Sequence, residues 1–348
     1  MTVLPHNRVL VGDAVARLGQ LPDASVDCVV TSPPYFGLRD YEVDGQIGLE
    51  SSVHEWVSRL LAVTGELARV LKPQGSLWLN VNDSFSRRQC EGAPTKAMLL
   101  APERLLLALT EQGWMVRSKV VWAKPHPMPS PAKDRLTGAW EPIYFLVRSR
   151  RYWFDLDSIR IPHTSRPRRP SSLRGPEPRG PGRMRPARWA GPRAGDQSGL
   201  ARQQALGVPG HPLGKNPANV WTVPQSSAKG IHHAVYPEQL IERPILATCP
   251  ERVCVACGHP WQRERSPTNP RGVLRPGCSC GVTWQPGLVL DPFLGSGTTA
   301  VVAERLGRHW LGIELNPTFA TVVKCRLLQE MQHLGRSRDG ESPGERGC

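Results

Sequence analysis

The sequence predicts an α/β protein, a doubly wound sheet carrying inserted segments, and three observations predict it. Apolar strand-like runs alternate with amphipathic helical segments at both ends of the chain, the pattern that produces sheets covered by helices on two faces. Two of those runs end in loops of unusual composition, TSPPYFG (Thr31 to Gly37) and DPFLGSGTT (Asp291 to Thr299), and open α/β sheets bind ligands outside such strand ends. With 348 residues, the chain is long enough to bury a full core.

In chain order, RVLVGD (Arg8 to Asp13) is the first strand and VARLGQL supplies leucines at helical spacing. VDCVV (Val26 to Val30) is short and β-branched, which predicts a buried strand. HEWVSRLLAVTGELARVLK (His54 to Lys72) repeats apolar residues every three or four positions and predicts an amphipathic helix. After Pro73 and Gly75 come the strand SLWLNV, a helix from Ala101 to Gln112 and the alternating stretch Val116 to Lys124. EPIYFLVRS and RYWFDLDSI predict a hairpin about Arg150. Order returns with NVWTVPQ (Asn219 to Gln225) and the helical PEQLIERPILA (Pro237 to Ala247). The last unit is the strand GLVLD (Gly287 to Asp291), a glycine loop, a helix from Thr299 to Leu306, the strand HWLGIE ending at Glu314, and a helix from Pro317 to about Leu334.

Lys and Arg number 44 against 30 Asp and Glu, a formal net charge of +14, which favours a polyanionic partner. The excess concentrates between Ser165 and Lys215, where ten Arg and one Lys face only Glu177 and Asp196, among nine Pro and nine Gly. Such a segment is an inserted loop rather than a core element, and it either contacts nucleic acid or is simply solvated. The amino terminus has no basic start ahead of an apolar core, and no apolar run is long enough to span a bilayer. Neither signal peptide nor membrane span is expected, and a cytoplasmic location follows. Nine cysteines in such a chain argue against a disulfide framework. Four of them, Cys254, Cys257, Cys278 and Cys280, form two close pairs that suit a structural zinc ion. Cys249 and His259 are substitute ligands, because the second pair has one spacer residue, and free thiols are the alternative.

DPFLGSGTT follows a strand and opens a helix. Gly295 and Gly297 permit a tight turn and close approach of the backbone to a ligand at the helix amino terminus. Glu314, about 20 residues beyond the loop at the next strand's end, is placed as an acid for ribose hydroxyls. The loop lacks both the lysine of a P-loop and the third glycine of the dinucleotide fingerprint, so a nucleoside without pyrophosphate, such as S-adenosylmethionine, suits it better. Asp13 is either an adenine ligand or an ordinary helix cap. At the other loop, Pro33 and Pro34 have no N–H for a ladder and so end the strand. Tyr35 is then at a strand's carboxyl end, as a ligand contact or as packing.

Together, TSPPY and DPFLGSGTT identify a resemblance to the amino-group DNA methyltransferases of the bacterial restriction-modification type, in the permuted order called the β group. Most of the chain takes part: RVLKPQGSLWLNVND, KVVWAKPHPMPS, EPIYFLVRSRRYWFD and HHAVYPEQLIERPI fall where that family has its other motifs. The resemblance implies an S-adenosylmethionine-dependent methyltransferase fold. It implies an amino-terminal catalytic part over residues 1–164, an Arg/Pro/Gly-rich target-recognition insertion over 165–218 and a cofactor-pocket segment over 219–248. A Cys-rich insertion over 249–286, a cofactor-binding part over 287–334 and a disordered tail over 335–348 complete the division. Asp291, Phe293, Gly295, Gly297 and Thr298 would shape the methionine end of the pocket, Glu314 would take the ribose, Asp13 the adenine, and the segment His233 to Glu238 the far side. Ser32, Pro33, Pro34 and Tyr35 would form the catalytic loop. Duplex DNA is the implied partner, with a cognate restriction endonuclease as a second.

That chemistry accounts for a strand ending in Ser-Pro-Pro-Tyr. An exocyclic amine is a poor nucleophile, because its lone pair is delocalised into the base. Acceptors such as the Ser32 hydroxyl and the Pro33 carbonyl can hold its hydrogens and turn the lone pair toward the methyl donor. The base must leave the duplex, and Tyr35 would stack on it. Within the family, Ser at the first position favours cytosine N4, with adenine N6 the alternative and a catalytically silent DNA-binding relative a third reading. Cytosine C5 methylation, which needs a cysteine nucleophile, is not expected, because the chain has no Pro-Cys pair. If the arginine-rich segment does not read DNA, the stretch from Pro125 to Trp140 or NVWTVPQ would, with Trp221 as a contact or as core.

Overall fold

The computed structural model describes residues 5–163, 211, 213–225, 236–266 and 269–339. The strands are β1 (Arg8–Val11), β2 (Val26–Thr31), β3 (Leu71–Asn80), β4 (Met115–Ala123), β5 (Trp140–Val147), β6 (Val220–Thr222), β7 (Val253–Cys254), β8 (Gln262–Ser266), β9 (Asn269–Arg275), β10 (Trp284–Gln285), β11 (Leu288–Asp291) and β12 (His309–Glu314). Eight of them form one sheet in the order β1-β12-β11-β2-β3-β5-β4-β6, while β7 pairs with β10 and β8 with β9. Neighbours from β1 across to β3 are parallel, and β5 runs antiparallel to both β3 and β4.

Helices α1 (Ala14–Leu18), α2 (Val53–Val70) and α3 (Ala101–Glu111) share one core, and α4 (Glu238–Thr248), α5 (Thr298–Arg305) and α6 (Pro317–Asp339) belong to the other face. Strand alternation divides the sheet between them. Val29, Leu77 and Leu79 join Trp56, Leu60 and Leu105 in one cluster, whereas Val30, Trp78 and Phe145 join Ile245, Val302 and Val323 in the other. This is the doubly wound arrangement expected. No helix among the described residues is long and apolar enough to cross a membrane.

Local chemistry explains the boundaries. Ser52 caps α2 by accepting the Glu55 N–H at 3.3 Å, and Glu55 reaches back to the Ser51 N–H at 3.1 Å, a reciprocal arrangement akin to a capping box. The helix ends at Val70, not Lys72, because Leu71 is extended (φ −68, ψ 133) and opens β3, and Pro73 disfavours a helical Lys72. Its ammonium lies 2.7 Å from Asp27, which is buried within β2 and also accepts the Leu288 N–H at 2.9 Å. One paired carboxylate thereby ties β2, β3 and β11 together.

Two further expectations are corrected. RYWFDLDSI does not return as a hairpin strand, because both edges of β5 are already taken by β3 and β4. Its rings instead pack on β5, with Tyr152 and Phe154 centred 5.6 and 5.8 Å from Phe145, before a short 3-10 turn at Leu156–Ile159. Helix α6 runs past Leu334 to Asp339, into the expected tail. The remaining tail residues, 340–348, and residues 164–210 of the arginine-rich segment lie outside the described residues.

Candidate active site

Strands β1, β2, β11 and β12 bring their carboxyl ends to one edge of the sheet, where a cleft opens. Of the residues expected at a site, Asp13, Ser32, Pro34, Phe293, Gly295, Thr298 and Glu314 line it. Pro33, Tyr35, Asp291 and Gly297 are not on that wall.

Asp291 is buried and holds the glycine loop. One carboxylate oxygen accepts Thr31 Oγ1 at 2.7 Å and the Phe293 N–H at 3.0 Å; the other accepts Thr299 Oγ1 at 2.7 Å and the Tyr236 hydroxyl at 2.9 Å. Burial raises its carboxyl above the ordinary range, against the pull of those donors. Gly297 has φ +85, and a Cβ there would meet Val323 of α6 at 2.9 Å, so this glycine serves loop-to-helix packing. Arg326, also on α6, donates to the Ser296 carbonyl at 2.9 Å and to Thr298 Oγ1 at 3.1 Å.

Glu314 faces the cleft and also fixes its rim, accepting the Gly295 N–H at 2.7 Å and the Asn316 N–H at 2.8 Å. Burial pushes its carboxyl up. Asp13 lines the cleft while capping α1 through the Ala16 N–H at 2.9 Å, so the cap and a ligand-facing position coexist in one residue. Of the segment His233 to Glu238, only Tyr236 onward lies within the described residues, and Tyr236 lines the cleft.

At the end of β2, the Ser-Pro-Pro-Tyr turn is anchored by Trp56, whose indole donates to the Pro34 carbonyl at 3.0 Å. Beside it is a polar cluster. The Tyr35 hydroxyl donates to Glu141 at 2.8 Å and lies 3.1 Å from Asn80 Oδ1, and Ser32 Oγ lies 3.3 Å from the Tyr35 oxygen. Asn80 donates to the Pro142 carbonyl at 3.0 Å, and Lys124 pairs with Glu141. Burial and the Glu141 charge push the Tyr35 phenol well above its ordinary value, which keeps it a donor at neutral pH.

Sequence reasoning missed Asn80, Lys124, Glu141 and the segment from Tyr41 to Ile47 that lines the cleft. Asn80 carried a signal, a polar residue closing the apolar strand SLWLNV, whereas Glu141 and Lys124 meet only through the β4–β5 pairing. Trp221 is core, buried in the same cluster as Trp78. The sulfurs of Cys254, Cys257, Cys278 and Cys280 all lie within 4.8 Å of one another. Cys249 is not a substitute among them, since it is buried in the core.

The family described as DNA methylase, of N6 and N4 type, matches residues 26–324. The Type II methyltransferase M.Cfr9I of Citrobacter freundii is 32% identical over 340 residues, covering 92% of this chain and 87% of its own. Among solved structures, the PvuII DNA methyltransferase, described as cytosine-N4-specific, superposes with a TM-score of 0.57 at 19% identity, over 96% of this chain and 93% of that one. A putative DNA modification methylase of Thermus thermophilus, complexed with S-adenosyl-L-methionine, gives 0.51 at 21% identity, over 93% and 95%.

Proposed function

This chain belongs to the N6/N4 DNA methylase family, and we propose that it transfers a methyl group from S-adenosylmethionine to N4 of a flipped cytosine. It is a site-specific DNA amino-methyltransferase of the restriction-modification type. The cofactor reading rests on the lining of the cleft, where, among the described residues, Asp13 and Glu314 are present and no lysine or arginine is. A pyrophosphate would be repelled by those carboxylates, whereas a positively charged sulfonium nucleoside is favoured by them. Glu314 would hold the ribose hydroxyls, Asp13 the adenine amine, and Phe293, Gly295 and Thr298 the methionine end. Asp291 and Gly297 act one step back, by shaping the loop. Bound there, the cofactor supplies an electrophilic methyl group.

The observation that carries the reaction is Ser32, which lines the cleft and also touches the Tyr35–Asn80–Glu141 cluster. Its hydroxyl and the Pro33 carbonyl accept the hydrogens of the target amine, direct its lone pair into the cleft and stabilise the charge developing on nitrogen. The hydrogen bond from the Tyr35 hydroxyl to Glu141 fixes the plane of a ring that stacks on the extruded base. Ser at this position supports cytosine, as does the cytosine-N4 description of the PvuII enzyme. The arginine-rich insertion, residues 165–218, reads the target. Nucleoside mass spectrometry on DNA from a methylation-deficient host expressing this chain tests the proposal. N4-methylcytosine is the expected product; N6-methyladenine would keep the mechanism and overturn the base. Neither modification, with soluble protein, would overturn both.

A further inference from the structure

We propose that Cys254, Cys257, Cys278 and Cys280 hold one structural zinc ion, and that the module it closes braces the two ends of the arginine-rich segment. Tetrahedral thiolates about 2.3 Å from zinc sit roughly 3.8 Å apart, and these four sulfurs already converge within 4.8 Å. Each pair lies on a tight turn relaxed by a glycine, Gly258 at φ +69 and Gly281 at φ +67, and antiparallel pairing of β7 with β10 joins the two turns. Backbone N–H groups of Ala256 and Cys257 hydrogen-bond the Cys254 sulfur, the outer-shell support that thiolate ligands use. The module has no core to fold on. Among the described residues between 251 and 286, only Val253, Cys254 and Pro260 are buried, so a metal staple supplies what apolar burial does not. Two of the four cysteines, Cys257 and Cys280, are exposed, which favours redox-inert zinc over iron.

The module grips the chain just ahead of the arginine-rich segment. Arg263 forks onto Asp155 at 3.0 and 2.6 Å, Arg265 reaches Asp157 at 2.6 Å, and Trp153 donates to the Trp261 carbonyl at 3.1 Å. Asp157 in turn holds Arg160 at 2.6 Å, and Arg160 donates to Asn216 at 2.8 Å. Ile161 and Lys215 exchange backbone hydrogen bonds at 3.0 and 2.9 Å, closing the two ends of the segment on each other.

Metal analysis of the full chain as purified, by native mass spectrometry and elemental analysis, should find one zinc per chain. Chelation should then speed hydrogen exchange at the Asp155 and Ile161 amides at least tenfold while the β11 amides stay unchanged. An Arg263→Ala/Arg265→Ala variant, with every cysteine in place, should keep its zinc and show the same faster exchange. Iron or no metal in the wild type would overturn the ion. Zinc without altered exchange at residues 155–161, in both the chelated protein and the arginine variant, would overturn the brace.

Discussion

Glu314 uses one carboxylate for two purposes, holding the Gly295 and Asn316 amides and facing the cleft, so its charge state couples loop shape to ligand. Burial raises its pKa, which means it gains a proton as pH falls at values above the ordinary glutamate figure of about 4.3. The ionised form is the one that accepts ribose hydroxyls while keeping the loop amides. Calorimetry should therefore find S-adenosylmethionine affinity beginning to fall, as pH drops from neutral, at higher pH than an ordinary carboxylate would allow, and Glu314→Gln should flatten that profile. Gly297 and Tyr35 divide the work differently. The φ of +85 at Gly297 and the 2.9 Å approach to Val323 make Gly297→Ala cost about 1–2 kcal/mol of backbone strain before the clash is counted. That variant should lower both the thermal midpoint and cofactor affinity. Tyr35→Ala should leave cofactor affinity within about threefold and lower methylation by roughly 10²-fold through lost positioning; equal loss of cofactor binding in the two would refute the division.

At the scale of elements, β4 and β5 matter for where they end. Their antiparallel register sets Ala123 opposite Trp140, so the residues just beyond and within the pair, Lys124 and Glu141, meet as ions with side chains only 11% and 10% exposed. Glu141 also receives the Tyr35 hydroxyl, which makes the ion pair the back wall of the catalytic turn. Lys124→Met leaves that carboxylate buried without its cation and should cost roughly 3 kcal/mol in urea unfolding. Lys124→Met/Glu141→Gln should recover a good part of it, and a double-mutant cycle showing no coupling would refute the wall. This pair also marks the limit of what was legible. Parallel strands such as VDCVV and HWLGIE, and the loops that end them, are local signals of composition and could be placed from sequence. The partner of RYWFDLDSI could not, because edge occupancy on β5 depends on which strands are already paired. Asp27 escaped notice for the same reason, since its lysine is 45 residues away and nothing local distinguishes a paired acid from a misplaced one.

At the scale of the whole molecule, two cores hold a rigid sheet whose carboxyl edge carries the cleft, while most of the excess positive charge lies in one inserted segment. Among the described residues, the cleft wall has acids and no lysine or arginine, so cofactor binding and DNA binding draw on separate electrostatics. Each phosphate neutralised on duplex DNA contributes about 0.9 to the slope of log affinity against log salt. If the inserted segment grips DNA, replacing Arg183, Arg185 and Arg188 together by Ala should reduce that slope by up to about 3. S-adenosylmethionine affinity should not move if the two ligands draw on separate charges. Titrating a labelled duplex at several salt concentrations measures the slope directly. An unchanged slope would make the segment a solvated loop and shift DNA contact to the stretch from Pro125 to Trp140. A reduced slope with unchanged preference among target sequences would assign these arginines to phosphates rather than bases, because phosphate contacts position the protein and base contacts specify the site.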